Sequence, residues 1–538
     1  MAHRICGHGW LTAAVLAAVL PSGALAQSSD VTTPPPAGAA ATDDTTGDVS
    51  NIQIPLPPLQ WGGYADLAEG YSTNAQGGFG GTGTSDTFTR GTIGTYLQYA
   101  RPRLSANLNY SLTGVYWGKT HDQNHLTNRL NLTSRLIAIP DTLVVTANAY
   151  AAPADLTRLG AVSASGEPVS RYNSRDTYGY FVRPQFTLRY KDYLTSDLSL
   201  GHGGVFFVTP SAAAIFPPPP ITPAQNALST TLTEQLTSGT YFERLQFSAI
   251  GSYGQFSQTV RSQRTEEGLL NVSYALTRYL KVFGIGGYDD YKSSTTLAKN
   301  LSGPTGLGGF TLSDGPDFTL TAEAGTQNNL PTYMGSLRWI ISPLTQFVAS
   351  ATDSITTPQG DILSRLGGLS GGGLGDPGSL GNVGLGGSSY NGNLPFSPGG
   401  LALDNAIYRI RSIEGSLTHT DDRNTYTASV FANERDRLDV TPVSVLPRTS
   451  VYGLRGVVTR TLNADFTATA SATYSIGDEF GGHDRVFYAD AIVTYHLTAI
   501  IDLYLTDHYT DRESKNLVGF TNAPVSEDQV ILGIRAHF

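Results

Sequence analysis

Residues 104–116 read LSANLNYSLTGVY. One face of this stretch carries Leu104, Ala106, Leu108, Tyr110, Leu112, Gly114 and Tyr116; the other carries Ser105, Asn107, Asn109, Ser111 and Thr113. A period of two marks a β-strand, whose successive side chains point to opposite faces. The neighbouring sequence behaves the same way. In 126–136, Leu130 and Leu132 oppose Arg129, Asn131, Thr133 and Arg135. In 178–190, Tyr180, Val182, Phe186, Leu188 and Tyr190 oppose Arg183, Gln185, Thr187 and Arg189. From Trp61 onward one plan repeats: two alternating runs around a short turn, then a longer polar, Gly-rich stretch.

Run length separates a membrane wall from a soluble core. A tilted strand needs about 9–11 residues to cross a bilayer, whereas strands of soluble proteins cluster near five or six. These runs are of the longer kind. Composition agrees, with 60 glycines, 28 tyrosines and only 14% charged residues in 538. No apolar run after the N-terminal segment reaches the roughly 18 residues of a transmembrane helix.

The turns alternate in length. Short ones fall at Arg101-Pro102-Arg103, Ile139-Pro140-Asp141, Lys191-Asp192, Thr277-Arg278-Tyr279, Ser342-Pro343, Asp421 to Asn424, Leu462 to Asp465 and Leu497-Thr498-Ala499. Long loops fall around 153–175, 209–228, 289–331, 356–404 and 512–526. Short periplasmic turns opposite long external loops are the pattern of outer-membrane barrels. Just before short turns, and on the apolar face by parity, sit Tyr99, Tyr190, Tyr274, Trp339 and Tyr495. Amphipathic rings gather in this way at headgroup level. The last residues place Val530, Leu532, Ile534, Ala536 and Phe538 on one apolar face; this resembles the signal read by the outer-membrane barrel assembly machinery.

We therefore expect an all-β, transmembrane, antiparallel up-and-down barrel of about 20 strands, or 18 with one hairpin fewer, over residues 61–538. Ser229–Leu236, Gln263–Thr277 and Leu280–Tyr288 are its faintest strands. Arg409, Arg411 and Glu414 break the alternation and suggest a bulge. Residues 1–26 read as a Sec signal peptide, with Arg4, an apolar run from Trp10 to Leu20, and Ala24-Leu25-Ala26 as the cleavage site. The single cysteine, Cys6, leaves with it. Residues 27–60, rich in Pro, Thr, Ala and Asp, cannot bury a core and read as a disordered periplasmic tail. The expected location is the outer membrane of a Gram-negative cell, in contact with its lipid.

Several segments carry a family resemblance. LTRYLKVFGIGGY, RTLNADFTATASATYS, YHLTAIIDLYLTDHYTDRES, the final VILGIRAHF and the early Glu69-Gly70-Tyr71-Ser72-Thr73-Asn74 resemble the PEP-CTERM-system-associated outer-membrane β-barrels, the β-barrel porin type 2 group. The resemblance covers most of 61–538 and carries no catalytic motif. It implies a barrel linked with exopolysaccharide production and export, and a polysaccharide as partner. The Gly-rich stretch from Gly367 to Gly387 and the Pro-rich Phe216 to Pro220 look like additions to the family pattern. A long loop of this kind can fold inward and constrict a lumen.

Parity assigns the lumen face. Its basic residues are Arg90, Arg129, Arg135, Arg183, Arg189, Arg244, Arg338, Arg455 and Arg535; its acids are Asp66, Glu267, Asp490 and Asp502. Other acids, such as Asp289, Asp290 and Asp436, read as loop residues. A chain of net charge −10 thus encloses a basic passage, and a passage lined by one sign concentrates the opposite ion. We expect a channel for passage or export of a polar saccharide or exopolysaccharide, with a preference for an anionic one where the basic lining decides. Against this stands a filling role, in which the arginines pair with tyrosines and acids to brace the barrel. A third reading is a surface adhesin or structural barrel without transport, whose function, including contact with sugar, lies in the loops.

A hydrolase has little to stand on, because no G-x-S-x-G elbow is present. His121 and His125 stand four apart in a loop, where helical metal-ligand spacing has no meaning. His483 and Asp484 read as a solvated loop pair. We expect no catalytic residue, no metal and no cofactor. No basic cluster points to nucleic acid, and nothing marks an oligomer face.

Overall fold

The computed structural model describes residues 59–75, 83–155, 174–208, 225–259, 261–297, 299–368, 406–439, 448–479, 482–515 and 525–538. The readings of 1–26 and 27–58 lie outside these residues.

Among the described residues there are 22 strands in one antiparallel sheet. They are Leu59–Ser72 (β1), Asp86–Arg101 (β2), Leu104–Trp117 (β3), His125–Ile139 (β4), Leu143–Asp155 (β5), Ser174–Tyr190 (β6) and Leu194–Val208 (β7). Next come Ala227–Ser238 (β8), Leu245–Gln258 (β9), Ser262–Ala275 (β10), Leu280–Ser293 (β11), Gly303–Asp314 (β12), Phe318–Gln327 (β13), Leu330–Ser342 (β14) and Thr345–Thr356 (β15). The rest are Tyr408–Thr420 (β16), Asn424–Arg437 (β17), Arg448–Thr461 (β18), Phe466–Glu479 (β19), Gly482–Thr498 (β20), Ile501–Lys515 (β21) and Val525–His537 (β22). Each strand pairs with the next, and β22 pairs with β1 from Gln529↔Ser72 to His537↔Tyr64, closing the barrel. Closure leaves no sheet edge, which a lipid environment requires. Among the described residues there is one α-helix, Pro358–Gly368 (α1), after β15, and a single 3-10 turn, His121–Gln123, before β4.

The two faces separate as the sequence leads one to expect. On β3, Ser111, Thr113, Val115 and Trp117 are buried inside while Tyr116 is exposed outside. The outer face carries an apolar belt that includes Leu67, Ile93, Val430 and Leu532, all mostly exposed. Aromatic rings bound it on both sides. Tyr99, Tyr190, Tyr274, Trp339 and Tyr495 all lie on the outer face near the short-turn end; Tyr99 and Tyr495 are half-buried, the latter stacked on Phe466 at 4.5 Å. A second row, with Tyr71, Tyr116, Tyr288, Tyr333 and Tyr452, lies toward the opposite end. On β1, Trp61 and Tyr71 are ten residues apart. At about 3.3 Å per residue and about 40° of tilt this spans roughly 25 Å, the height of an outer-membrane apolar belt.

The structure corrects several expectations. The stretch 289–331 is not one long loop: it holds the end of β11, all of β12 and β13, and the start of β14. The alternation there is masked by glycine, since Gly303, Gly306, Gly308 and Gly309 stand where larger residues would show the period. The β13–β14 connection is a two-residue turn, Asn328-Asn329, both at positive φ (53° and 57°), as a type I′ hairpin needs. The faint segments are the strands β8, β10 and β11. The wall begins at Leu59, two residues before Trp61.

No bulge occurs at 409–414, where pairing with β15 runs unbroken from His419↔Thr345 to Tyr408↔Thr356. Arg409 and Arg411 instead face outward above the apolar belt. Arg409 binds Asp353 at 2.8 Å, and Arg411 binds Glu434 at 3.0 Å and Asp436 at 2.5 Å. Arg448 also pairs with Glu434. Glu414 keeps its place on the inner face.

Candidate functional site in the barrel lumen

A cross-strand charge row runs along the seam where the barrel closes. His496, Asp502, Arg535 and Asp66 are successive partners across β20, β21, β22 and β1. Asp66 is buried and gathers three groups: Tyr504 donates its hydroxyl at 2.8 Å, Arg535 donates at 3.1 Å, and Arg90 stands 3.9 Å away. Arg90 in turn donates to the Tyr504 hydroxyl at 2.8 Å. Two predicted lumen arginines, Arg90 and Arg535, thus share one predicted lumen acid. His496 and His537 both hydrogen-bond to Asp502, at 2.7 and 2.9 Å.

A different arrangement occupies β4 and β6. Arg129, Arg135, Arg183 and Arg189 lie on their inner faces. Arg135 and Arg183 flank Thr146 of β5 in a single register row, two strand spacings or about 10 Å apart. The nearby inner acid, Asp197, is engaged by Gln185 at 3.2 Å and Thr187 at 2.5 Å. Arg189 sits at the periplasmic rim 3.9 Å from Asp141, with both side chains mostly exposed, a pairing worth little in water. Of the other predicted arginines, Arg338 lies on the inner face of β14 and Arg455 on that of β18, beside buried Thr473. Arg244 lies in the β8–β9 turn one residue before β9, at the rim rather than on the wall.

Carboxylates collect on another wall. Glu267 and Asp289 are direct partners across β10 and β11. Ser252 donates to Glu267 at 3.2 Å, and Thr305 donates to Asp289. Asp289 is therefore an inner-wall residue, not a loop residue; Asp290 is also on β11, and Asp436 on β17. Glu267 and Asp289 thus lie about a quarter of the way around the wall from the arginines of β4 and β6.

Helix α1 narrows this lumen. Thr357 caps its start, accepting a hydrogen bond from the Gly360 amide at 3.0 Å, and Pro358 takes the first helical position, both ordinary helix openings. Ile362, Leu363 and Leu366 are buried against inward-facing Tyr150, Phe181, Val205, Phe207 and Phe256. Asn148 donates to the Leu366 carbonyl at 2.5 Å. Glycines make room for the helix: a Cβ at Gly179 would lie 3.0 Å from Leu366, and one at Gly203 would lie 2.9 Å from Leu363. Part of the long β15–β16 loop thus lies inside the barrel; beyond Gly368 the Gly-rich stretch Gly367 to Gly387, and the Pro-rich Phe216 to Pro220, lie outside the described residues. Sequence reading missed the helix, although Thr357-Pro358 followed by Ile362, Leu363 and Leu366 at helical spacing was a usable signal.

The external loops also meet above the wall. Leu297 and Asp439 form a backbone bridge between the β11–β12 and β17–β18 connections. The buried Asp439 carboxylate binds Arg261 and Arg437, each at 2.8 Å. Tyr291, Leu301, Leu330, Ile407 and Leu438 pack beside it.

The histidine pairs part company. His121 and His125 turn their Nδ1 atoms to the carbonyls of Trp117 and Gln123, at 2.9 and 2.6 Å. His483 and Asp484 are not loop residues: both lie on β20, on opposite faces. His483 faces out toward Asp478, whereas Asp484 is buried inside against Arg512 with two bonds of 2.8 Å.

No protein-family model matches this chain, and no curated protein matches it in sequence. Among solved structures it is similar to the siderophore receptor PirA from Acinetobacter baumannii, at 9% identity over 89% of this chain and 80% of that one, with a TM-score of 0.42. The ferric enterobactin receptor PfeA from Pseudomonas aeruginosa gives 11% identity, 88% and 80% coverage and a TM-score of 0.41. OccAB1 of A. baumannii gives 10%, 89%, 97% and 0.31.

Proposed function

We propose that this barrel is an outer-membrane channel for passage or export of a polar, anionic saccharide. The observation that carries the reading is the arginine ladder of β4 and β6, set on the inner wall beside a lumen narrowed by α1. A guanidinium presents a planar fork of donors suited to carboxylate and phosphate oxygens. Arg135 and Arg183 stand side by side about 10 Å apart, and Arg129 and Arg189 lie six residues, about 20 Å, further along β4 and β6 in opposite directions, so an anionic chain meets a graded series of cations rather than one deep trap. The family resemblance of the sequence to exopolysaccharide-linked barrels supports the same substrate class. On this reading the chain is exported by a signal peptide cleaved after Ala26, and the face Val530, Leu532, Ile534, Ala536 and Phe538 is read by the assembly machinery. Val530, Leu532, Ile534 and Ala536 lie on β22 and Phe538 directly follows it, all exposed, with the Phe538 ring over Gly63.

The test is a bilayer recording of the refolded mature protein in a salt gradient. An anion-selective conductance that falls on adding an acidic polysaccharide supports the reading; cation selectivity overturns it. The loop clasp at Asp439 favours a second reading, a closed barrel whose external surface binds sugar. Absence of conductance, together with polysaccharide binding to intact cells, would select it.

A further inference from the structure

On the described strands, exposed large apolar and aromatic side chains face outward with one exception, Tyr96, which is 45% exposed on the inner face of β2. Its position is structurally defined. Tyr96 partners Gly62 on one side and Asn109 on the other. A Cβ at Gly62 would lie 2.6 Å from the Tyr96 hydroxyl and 2.7 Å from its ring. The ring is therefore seated on bare backbone, and its remaining surface is turned to the lumen. One step further along the wall, Tyr64 lies over Gly94 in the same manner, with the Arg535 guanidinium 5.2 Å from its ring. Beside Tyr96, the amides of Gln98, Asn107 and Asn109 are exposed on the inner face of β2 and β3. The site lies in the periplasmic half of the wall, five residues above the end of β2.

An aromatic face is apolar and weakly negative at its centre. It suits the C–H face of a pyranose ring, while neighbouring amides offer both donors and acceptors to the hydroxyls at its edge. We infer that Tyr96, flanked by Asn109, Asn107 and Gln98, is a pyranose-binding station met by a saccharide chain on the periplasmic side of α1. The inference rests on the saccharide reading above but does not require net charge on the sugar. An aromatic ring covering a strand glycine also supports a sheet by itself, so binding and stability must be read separately.

The experiment uses the full-length protein in detergent and saturation-transfer NMR with two probes, maltohexaose and hexagalacturonate. Both are expected to bind, with saturation strongest on ring-face protons. Tyr96→Ala should weaken binding about tenfold, the size of one stacking contact, and Tyr96→Trp should retain it. Asn109→Ala provides a second variant that leaves the ring on Gly62, and should weaken binding a few-fold. Heat-modifiability on gels reports folding of each variant. Unchanged binding in folded Tyr96→Ala, or no binding of either probe to the wild type, overturns the station. Bilayer conductance separates the two ideas. Sugar binding without conductance keeps the station and removes the channel; conductance without sugar binding does the reverse.

Discussion

Truncating Leu366 to alanine should loosen α1 from the inner wall while leaving the barrel intact. Leu366 is 1% exposed, the most fully buried of the three side chains holding the helix to Tyr150, Phe181 and Val205. A buried Leu→Ala change costs about 2–5 kcal/mol. The loss falls on docking, because α1 contributes nothing to the strand ladder and an isolated helix of its length is marginal in water. At about 1.4 kcal/mol per factor of ten, a loss of about 3 kcal/mol raises the undocked-to-docked ratio more than a hundredfold. A helix undocked about 1% of the time would then be undocked about half the time. Gly179→Ala should act from the opposite side, since its Cβ would lie 2.2 Å from the Tyr150 ring and 3.0 Å from Leu366. Single-channel recording should show larger mean conductance and flicker between two levels in both variants, with unchanged heat-modifiability. A wild-type-like conductance trace from folded Leu366→Ala would refute the idea that α1 narrows the path.

Arg135→Glu with Arg183→Glu should move the reversal potential toward cation selectivity, because the two flank one point on the wall; a potential unmoved by this change of four charges would remove the ladder from the path. Asp439→Asn leaves Arg261 and Arg437 facing an amide in a buried site, at about 3–5 kcal/mol. Limited proteolysis of whole cells should then cut the external loops faster, and equal cutting rates would show that the clasp does not hold them. Ile93→Arg, on the outer face of β2, should cost about 2–4 kcal/mol in bilayer-folded protein, measured by denaturant titration in vesicles. Thr92→Arg, one residue away on the inner face, should cost much less; equal losses would contradict the assignment of faces.

The sequence carried the wall well and the lumen contents poorly, for physical reasons. Lipid on one side and water on the other impose an alternation that survives in single strands such as β3, and headgroup chemistry fixes rings such as Trp339 and Tyr190 at one level. The same alternation placed Arg90, Arg135, Arg183 and Arg535 on the inner face. It failed in β12, where glycine removes the very side chains that report the period. Around Arg409 and Arg411 the strands outrun the apolar belt, so an outward position is charged and mimics an irregularity. Pairing across the lumen has no local signature: nothing near Asp66 in the chain announces Arg535, and nothing near Leu366 announces Tyr150. Tyr96 was hidden because an inward aromatic reads like any other tyrosine until Gly62 is known to lie beneath it.

The account stands most directly on one measurement, the reversal potential of the refolded mature protein across a planar bilayer in a salt gradient. It predicts a conductance selective for anions and reduced by an acidic polysaccharide added on the periplasmic side. A cation-selective conductance, or one indifferent to that polysaccharide, would contradict it.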